Sequence, residues 1–110
     1  MKPIKFLIVD DTVRVGSVDY HRHLLTTDDR HSIIKGGGML EFEYNDEHKI
    51  IRFDGGSADF GTFKQFDLKK AISQTPDLDK SMEQLGILVW GEDFDISKCR
   101  KFVREEEIKL

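Results

Sequence analysis

The most constraining stretch of this sequence is residues 36–53, where three consecutive glycines lead into two segments of strand character. The glycines lack Cβ atoms, so the backbone there can adopt positive φ angles or let another group approach very closely. Every second residue from 40 to 44 is apolar, which is the period of a strand. Residues 45–48 are polar and suit a loop before a second strand at 49–53. The sequence therefore predicts a hairpin over about residues 39–53.

The segments before and after this hairpin predict further strands and helices. Residues 4–9 form an apolar run of strand length that ends at the turn-forming pair Asp10-Asp11, and residues 12–15 can return as a second strand. Asp67 is a candidate N-cap for a helix that ends before Pro76.

Two elements are expected near the C-terminus. Residues 86–90 have the character of a strand, and residues 96–108 can form a closing helix whose acidic run, residues 105–107, faces solvent. We therefore expect one small α/β domain of α+β character over residues 1–110, with a mixed β-sheet packed by two or three helices. Two domains would each have too small a core.

Composition limits the classes of function. The 110 residues carry a formal charge of -4, whereas proteins that bind nucleic acid generally need a basic face. The longest apolar run, residues 6–9, is too short to cross a bilayer, and the N-terminus lacks the apolar core of a signal peptide. We expect a cytoplasmic protein that binds neither a membrane nor nucleic acid. The single cysteine, Cys99, excludes an internal disulfide and a multi-thiolate metal site.

Two metal-dependent interpretations can be weighed on residue types alone. Asp10, Asp11 and Asp54 resemble the acidic Mg²⁺ pocket of response-regulator receiver domains. Such a domain needs alternating strands and helices, however, and the two strands between residues 38 and 54 leave no room for a helix. A Mg²⁺-dependent receiver is therefore the weakest alternative.

Histidines offer the second metal-dependent interpretation. His21, His23 and His31 include a His-x-His pair, but no cluster of cysteines or glutamates completes a tetrahedral set at familiar spacing. We expect no metal site.

Four segments in fixed order resemble the phosphohistidine phosphatases of the Janus/Ocnus family. That family shows a lysine before an apolar strand, then Glu-Tyr-His, then Gly-Gly-Gly opening a hairpin, then a loop of the form aromatic-Gly-x-Ser-x-x-Tyr-Gly. This chain has Lys5 before an apolar run, Asp19-Tyr20-His21, glycines at 36–38, and Gly55-Gly56-Ser57-Ala58-Asp59-Phe60-Gly61. The resemblance covers about residues 3–94 and leaves residues 95–110 as a helical addition.

The resemblance implies a metal-independent phosphatase that acts on phosphorylated nitrogen, such as phosphohistidine or phospholysine, and requires no cofactor. His21 would be the catalytic residue and Lys5 a phosphate ligand. Ser57 would complete the phosphate cradle together with the backbone N–H groups of its loop, those of Ala58 and Asp59 included. The partner would be a phosphorylated protein or a small phosphoramidate.

The chemistry of these residue types agrees with such roles. Phosphoryl transfer depends mainly on positioning and on positive charge near the phosphoryl oxygens, which a lysine and a glycine-rich turn of N–H donors can supply. A neutral histidine can take a proton from the attacking water, or it can attack phosphorus itself. The sequence leaves both routes open.

The chain also departs from the family pattern. Met39 stands where the family has a phosphate-binding arginine, and we expect Arg14 to replace its charge, with Arg30 and Lys35 as alternatives. The Asp59 carboxylate must point away from the cradle, since it would repel phosphoryl oxygens. These departures favour a second hypothesis, a non-catalytic module that binds phosphate or a phosphoprotein.

Overall fold

Eight strands and two α-helices form in the described part of the computed structural model, residues 2–45 and 47–109. The strands are β1 (Ile4–Val9), β2 (Thr12–Ser17), β3 (Ile34–Asn45), β4 (His48–Asp54), β5 (Gly56–Ser57), β6 (Gly61–Thr62), β7 (Arg100–Val103) and β8 (Glu106–Ile108). The helices are α1 (Gln65–Ser73) and α2 (Leu78–Trp90), and short 3-10 turns span His21–Leu24, Thr27–Asp29 and Ile96–Lys98.

Six of the strands make one mixed sheet in the order β2-β1-β3-β4-β7-β8, and β5 pairs with β6 in a separate hairpin. Neighbouring strands of the large sheet are antiparallel except β4 and β7, which are parallel. The expected mixed sheet packed by two helices is confirmed. The hairpin predicted over residues 39–53 is present as the pairing of β3 with β4.

The turn between β1 and β2 consists of Asp10 and Asp11, both with positive φ angles of 49° and 62°. Two-residue hairpin turns favour this conformation, and aspartate adopts it more readily than most residues. Asp54, by contrast, pairs across β3 with Met39, which in turn pairs with Lys5 at the beginning of β1. Asp54 therefore lies about 16 Å along the strand direction from the turn.

This arrangement argues against both metal-dependent interpretations. The three carboxylates do not meet in one pocket, and the sheet lacks the alternating order of strands and helices that a receiver needs. Within residues 2–45 and 47–109, no group of three or more histidine, cysteine, aspartate or glutamate side chains could hold a metal ion.

The hydrophobic core lies between one face of the sheet and the two helices. Phe6 sits at its centre and makes edge-to-face contacts with Phe53 and Phe63, with ring centroids 5.2 Å apart in both pairs. The apolar side of α1 contributes Leu68 and Ala71, both fully buried. Burial of this spaced apolar stripe stabilises the helix more than its intrinsic propensity does.

Helix boundaries differ from the sequence-based expectations in two places. Helix α1 begins at Gln65, so Asp67 lies in its first turn and is not its N-cap; a carboxylate there still interacts favourably with the helix dipole.

Residues 86–90 are the last part of α2 and not a strand. Gly86 packs so closely on Phe94 that a Cβ atom would lie 2.1 Å from the ring. A short apolar run fits a buried helix as well as a strand, which explains the wrong prediction.

The expected closing helix over residues 96–108 is also wrong. After a single 3-10 turn the chain forms β7, which pairs with β4, and β8, which pairs with β7. Val103 is fully buried opposite Phe53, so this segment belongs to the sheet and is not an added helix. Burial raises the pKa of the Cys99 thiol, as expected for a packed side chain. Neither α1 nor α2 is long and apolar enough to cross a membrane.

Candidate functional site

The sheet face opposite the helices carries the residues singled out by the sequence. Since side chains alternate along a strand, Phe6 points to the helical core while Lys5 and Leu7 point to the other face. Leu7 is nevertheless fully buried. Residues 18–33, which we call the covering segment, lie over this face and include the His21–Leu24 turn. The covering segment therefore creates a second, smaller buried region.

Arg14 and Asp29 hold the covering segment to the sheet. The guanidinium of Arg14 donates to both carboxylate oxygens of Asp29, with Nη2 at 2.6 Å from Oδ1, and Nη1 also donates to the Leu24 carbonyl at 3.2 Å. Asp29 is buried and accepts the Thr26 backbone N–H at 2.7 Å. The Arg14 guanidinium holds the pKa of the Asp29 carboxyl well below its usual range. Arg14 thus anchors the segment that carries His21, and three of its five N–H groups are engaged in doing so.

His21 is the most buried polar residue of the covering segment, with 4% of its surface exposed. Its Nε2 atom lies 2.8 Å from the Gly38 carbonyl oxygen. Because a carbonyl only accepts hydrogen bonds, Nε2 donates and the neutral ring keeps its lone pair on Nδ1. In the described ranges no fully buried side-chain nitrogen or oxygen lacks a hydrogen-bond partner, and Nδ1 of His21 has no partner among these residues, so Nδ1 is in contact with solvent.

The three glycines of β3 make this position of His21 possible. A Cβ atom on Gly37 would lie 2.4 Å from the Phe6 carbonyl oxygen and 3.1 Å from Cδ2 of His21. Gly36 has a φ angle of 99°, and a Cβ there would lie 2.4 Å from the Thr62 carbonyl oxygen. The expected close approach of other groups to the triple glycine is confirmed. Strand β1, the β5–β6 hairpin and the imidazole all meet at this point.

Lys5 lies on the same sheet face as His21. Its side chain is half-buried, and Nζ donates to the backbone carbonyl of Asp19 at 2.9 Å. Asp19 lies just before the His21–Leu24 turn. An ammonium group has three donors, so two remain for other acceptors. The structure thus brings a positive charge to the backbone two residues before His21.

The glycine-rich loop, residues 55–61, lies beside β3: a Cβ atom on Gly55 would lie 3.5 Å from Cγ of Met39, and Thr62, directly after the loop, contacts Gly36. Ser57 is buried, and its Oγ accepts the Phe60 N–H at 3.1 Å, which leaves the hydroxyl hydrogen free to donate. Ala58 and Asp59 are exposed at the tip of the loop. Their backbone N–H groups have no acceptor among the residues the structure describes. The tip therefore offers unpaired donors of the kind an anion binds.

Arg22 joins the loop to the turn that carries His21. Its Nη1 atom lies 3.6 Å from Oδ2 of Asp59, and its Cζ atom lies 4.2 Å from the centroid of the Tyr20 ring. The Asp59 carboxylate consequently faces a cation of the covering segment. The sequence analysis did not select Arg22, although a basic residue directly after His21 is a natural candidate for an anion ligand.

Two cavities lie elsewhere on the molecule. One of about 520 Å³ is lined by residues of α1, the α1–α2 connection and Ile108, and one of about 310 Å³ by Tyr44, Lys49 and neighbouring charged residues. Neither is lined by Lys5, His21 or Ser57. The candidate site therefore coincides with neither of these two cavities.

A comparison of this chain with protein-family models, with curated proteins and with solved structures gives no match. The chemistry of the site itself is therefore the basis for inferring its function. The structure places His21 on the triple glycine, Lys5 opposite Met39 directly after it, and the glycine-rich loop beside the same strand. Arg14 is engaged by Asp29 instead, and Lys35, another candidate for the missing charge, is engaged by Asp11 at 2.6 Å.

Proposed function

We propose that this protein is a metal-independent phosphatase that removes the phosphoryl group from phosphorylated nitrogen, as in phosphohistidine or phospholysine. One observation carries the proposal: His21 is buried, its Nε2 donates to the Gly38 carbonyl, and its Nδ1 is the ring nitrogen in contact with solvent. A ring held in this way presents one nitrogen, in one tautomer, to whatever binds next to it. The resemblance to the Janus/Ocnus family supports the same residue in the same role.

In the general-base route, Nδ1 of His21 takes a proton from a water molecule while the water oxygen bonds to phosphorus. The P–N bond breaks, and the leaving nitrogen receives a proton from the imidazolium or from solvent. In the covalent route, Nδ1 attacks phosphorus directly, the P–N bond breaks, and water later cleaves the new bond. Both routes place positive charge on the ring, and the hydrogen bond from Nε2–H to the Gly38 carbonyl strengthens when the donor is charged.

Positive charge and N–H donors around the phosphoryl oxygens would stabilise the transition state. Lys5 has two ammonium donors left after its bond to Asp19, and Ser57 has its hydroxyl hydrogen. The unpaired N–H groups of Ala58 and Asp59 lie at the tip of the same loop. These groups are the proposed phosphate cradle.

A non-catalytic phosphate-binding module is the second candidate, and the residue at position 39 favours it. Met39 is paired between Lys5 and Asp54, so an uncharged side chain stands beside the cradle where the Janus/Ocnus pattern has an arginine. A cradle with less positive charge can still bind a dianion but stabilises a transition state less.

The proposed reaction uses no metal ion and no cofactor, because lysine and backbone donors neutralise the phosphoryl oxygens. The proposed partner is a phosphorylated protein or a small phosphoramidate in the cytoplasm. Nucleic acid and membrane surfaces do not fit a chain with a net charge of -4.

Phosphate release from phosphohistidine and from a small phosphoramidate, measured in EDTA, tests the proposal. Release in EDTA supports the phosphatase. Binding of inorganic phosphate that shifts the His21 ring resonances, without release from either substrate, supports the module. Absence of both release and binding contradicts both candidates.

A further inference from the structure

The six arginines of the chain differ in how their guanidinium groups are engaged. Four of them donate hydrogen bonds to carboxylates, carbonyls or a hydroxyl of the protein, namely Arg14, Arg52, Arg100 and Arg104. In the described part of the chain, the side chains of Arg22 and Arg30 make no hydrogen bond. Of these two, Arg22 directly follows the proposed catalytic histidine.

The guanidinium of Arg22 contacts the Tyr20 ring and lies near Asp59, but it donates no hydrogen bond to the described residues. Its Cζ atom lies 4.2 Å from the centroid of the Tyr20 ring, a cation–π contact, and a carboxylate oxygen of Asp59 lies 3.6 Å from its Nη1. That separation exceeds hydrogen-bond distance. The side chains of Arg22 and Asp59 are 56% and 40% exposed, so water screens their attraction. A competing anion can therefore separate this pair.

We propose that Arg22 is a phosphate-binding residue whose guanidinium exchanges the Asp59 carboxylate for two oxygens of a phosphoryl group or of inorganic phosphate. This inference rests on the proposed function, because it assumes that the anion binds next to His21. A guanidinium is planar and can donate two parallel hydrogen bonds to two oxygens of one anion, and its contact with the Tyr20 ring leaves its N–H groups available for them. Arg22 would then supply the charge that Met39 does not.

Asp59 has a distinct role in this exchange. It lies in the same glycine-rich loop as Ser57, and its attraction to Arg22 links that loop to the His21–Leu24 turn. Before the anion arrives, the carboxylate occupies the side of the guanidinium that faces the loop. The carboxylate therefore competes with the anion, and its removal should strengthen anion binding.

Titration with inorganic phosphate, followed through the ring resonances of His21, measures this binding without requiring turnover. We expect Arg22→Ala to weaken phosphate binding at least about tenfold and Arg22→Lys to restore it only in part, since an ammonium cannot fork to two oxygens. Asp59→Asn should tighten binding about two- to fivefold. Arg30, an alternative source of charge in the sequence analysis, lies three residues before Ile33, which bonds to Asp10 at the other end of β1 from Lys5. Arg30→Ala is therefore the matched control: it removes the same charge from the same covering segment and should change the affinity for phosphate less than about twofold.

Two results would overturn the assignment of Arg22 while leaving the His21 site intact. One is equal affinity of Arg22→Ala and Arg30→Ala, with phosphate still shifting the His21 ring. The other is unchanged or weaker binding by Asp59→Asn, which would contradict the exchange independently of the arginine variants. If phosphate leaves the His21 ring of the unmodified protein unaffected, the proposed function fails, and the role of Arg22 fails with it.

Discussion

Nε2 of His21 lies 2.8 Å from the carbonyl oxygen of Gly38, inside a cluster of three glycines that leaves room for the ring. The same short segment of β3 thus makes space for the imidazole and orients it. A side chain on Gly37 would collide with the Phe6 carbonyl and crowd the His21 ring. The glycines therefore serve to place a histidine, in addition to allowing the close approach of neighbouring strands.

The hydrogen bond to Gly38 predicts the tautomer of His21. At about pH 9, where an ordinary histidine ring is neutral, long-range ¹H–¹⁵N correlation spectra should show the proton of His21 on Nε2 and a lone pair on Nδ1. His23 is exposed and serves as the internal control, which should interconvert between both tautomers. A proton on Nδ1 of His21 would contradict the orientation on which the proposed chemistry depends.

Replacement of Gly37 by alanine should destabilise the fold. The new Cβ would lie 2.4 Å from a backbone oxygen that cannot move without disturbing β1. We expect the free energy of unfolding to fall by about 1 to 3 kcal/mol, the usual range for overpacking. Denaturant unfolding measures it, with Gly56→Ala as the matched control, since the nearest atoms to a Cβ there lie at an ordinary 3.5 Å. Equal stability of the two variants would show that Gly37 is not required for close packing.

Short-range sequence patterns correctly predicted the strands and turns that form between neighbouring segments of the chain. Strand β1, the Asp10-Asp11 turn and the β3–β4 hairpin all follow from strand-length apolar runs, strand periodicity and turn residues. Helix α2 did not, because the apolar run at residues 86–90 is too short to distinguish a helix from a strand.

Pairings between distant residues could not be predicted in this way. Strand β7 forms because the edge of β4 takes a parallel partner fifty residues later in the chain. No periodicity signals that contact. The Arg14–Asp29 pair is equally invisible in the sequence, so the arginine expected at the phosphate site proved to anchor the covering segment. Within the candidate site, residue types and motif order were enough to select Lys5, His21 and Ser57, but not Arg22.

Stability should depend on pH through Asp29. Its folded pKa is lowered below the unfolded value by Arg14 and by the Thr26 N–H, so the carboxylate stabilises the fold above about pH 4. This stabilisation is lost as the pH falls below that value toward the folded pKa. Asp29→Asn should therefore unfold more easily than the parent at pH 7, and the difference should shrink below about pH 4.

Chemical denaturation across this pH range measures the effect of Asp29. The matched control is Asp28→Asn, which changes the neighbouring exposed carboxylate and should leave stability nearly unchanged. A gap between Asp29→Asn and the parent that stays constant from pH 7 to about pH 3 would rule out the charged pair as its cause.

The most direct test of the account is the rate of phosphate release from phosphohistidine in EDTA, compared between the parent, His21→Gln and His23→Gln. Glutamine at position 21 can still donate to the Gly38 carbonyl but has no basic nitrogen, so the fold should survive the change. The account predicts that His21→Gln lowers the rate at least about 100-fold while His23→Gln leaves it nearly unchanged. A rate in His21→Gln equal to that of the parent would contradict it.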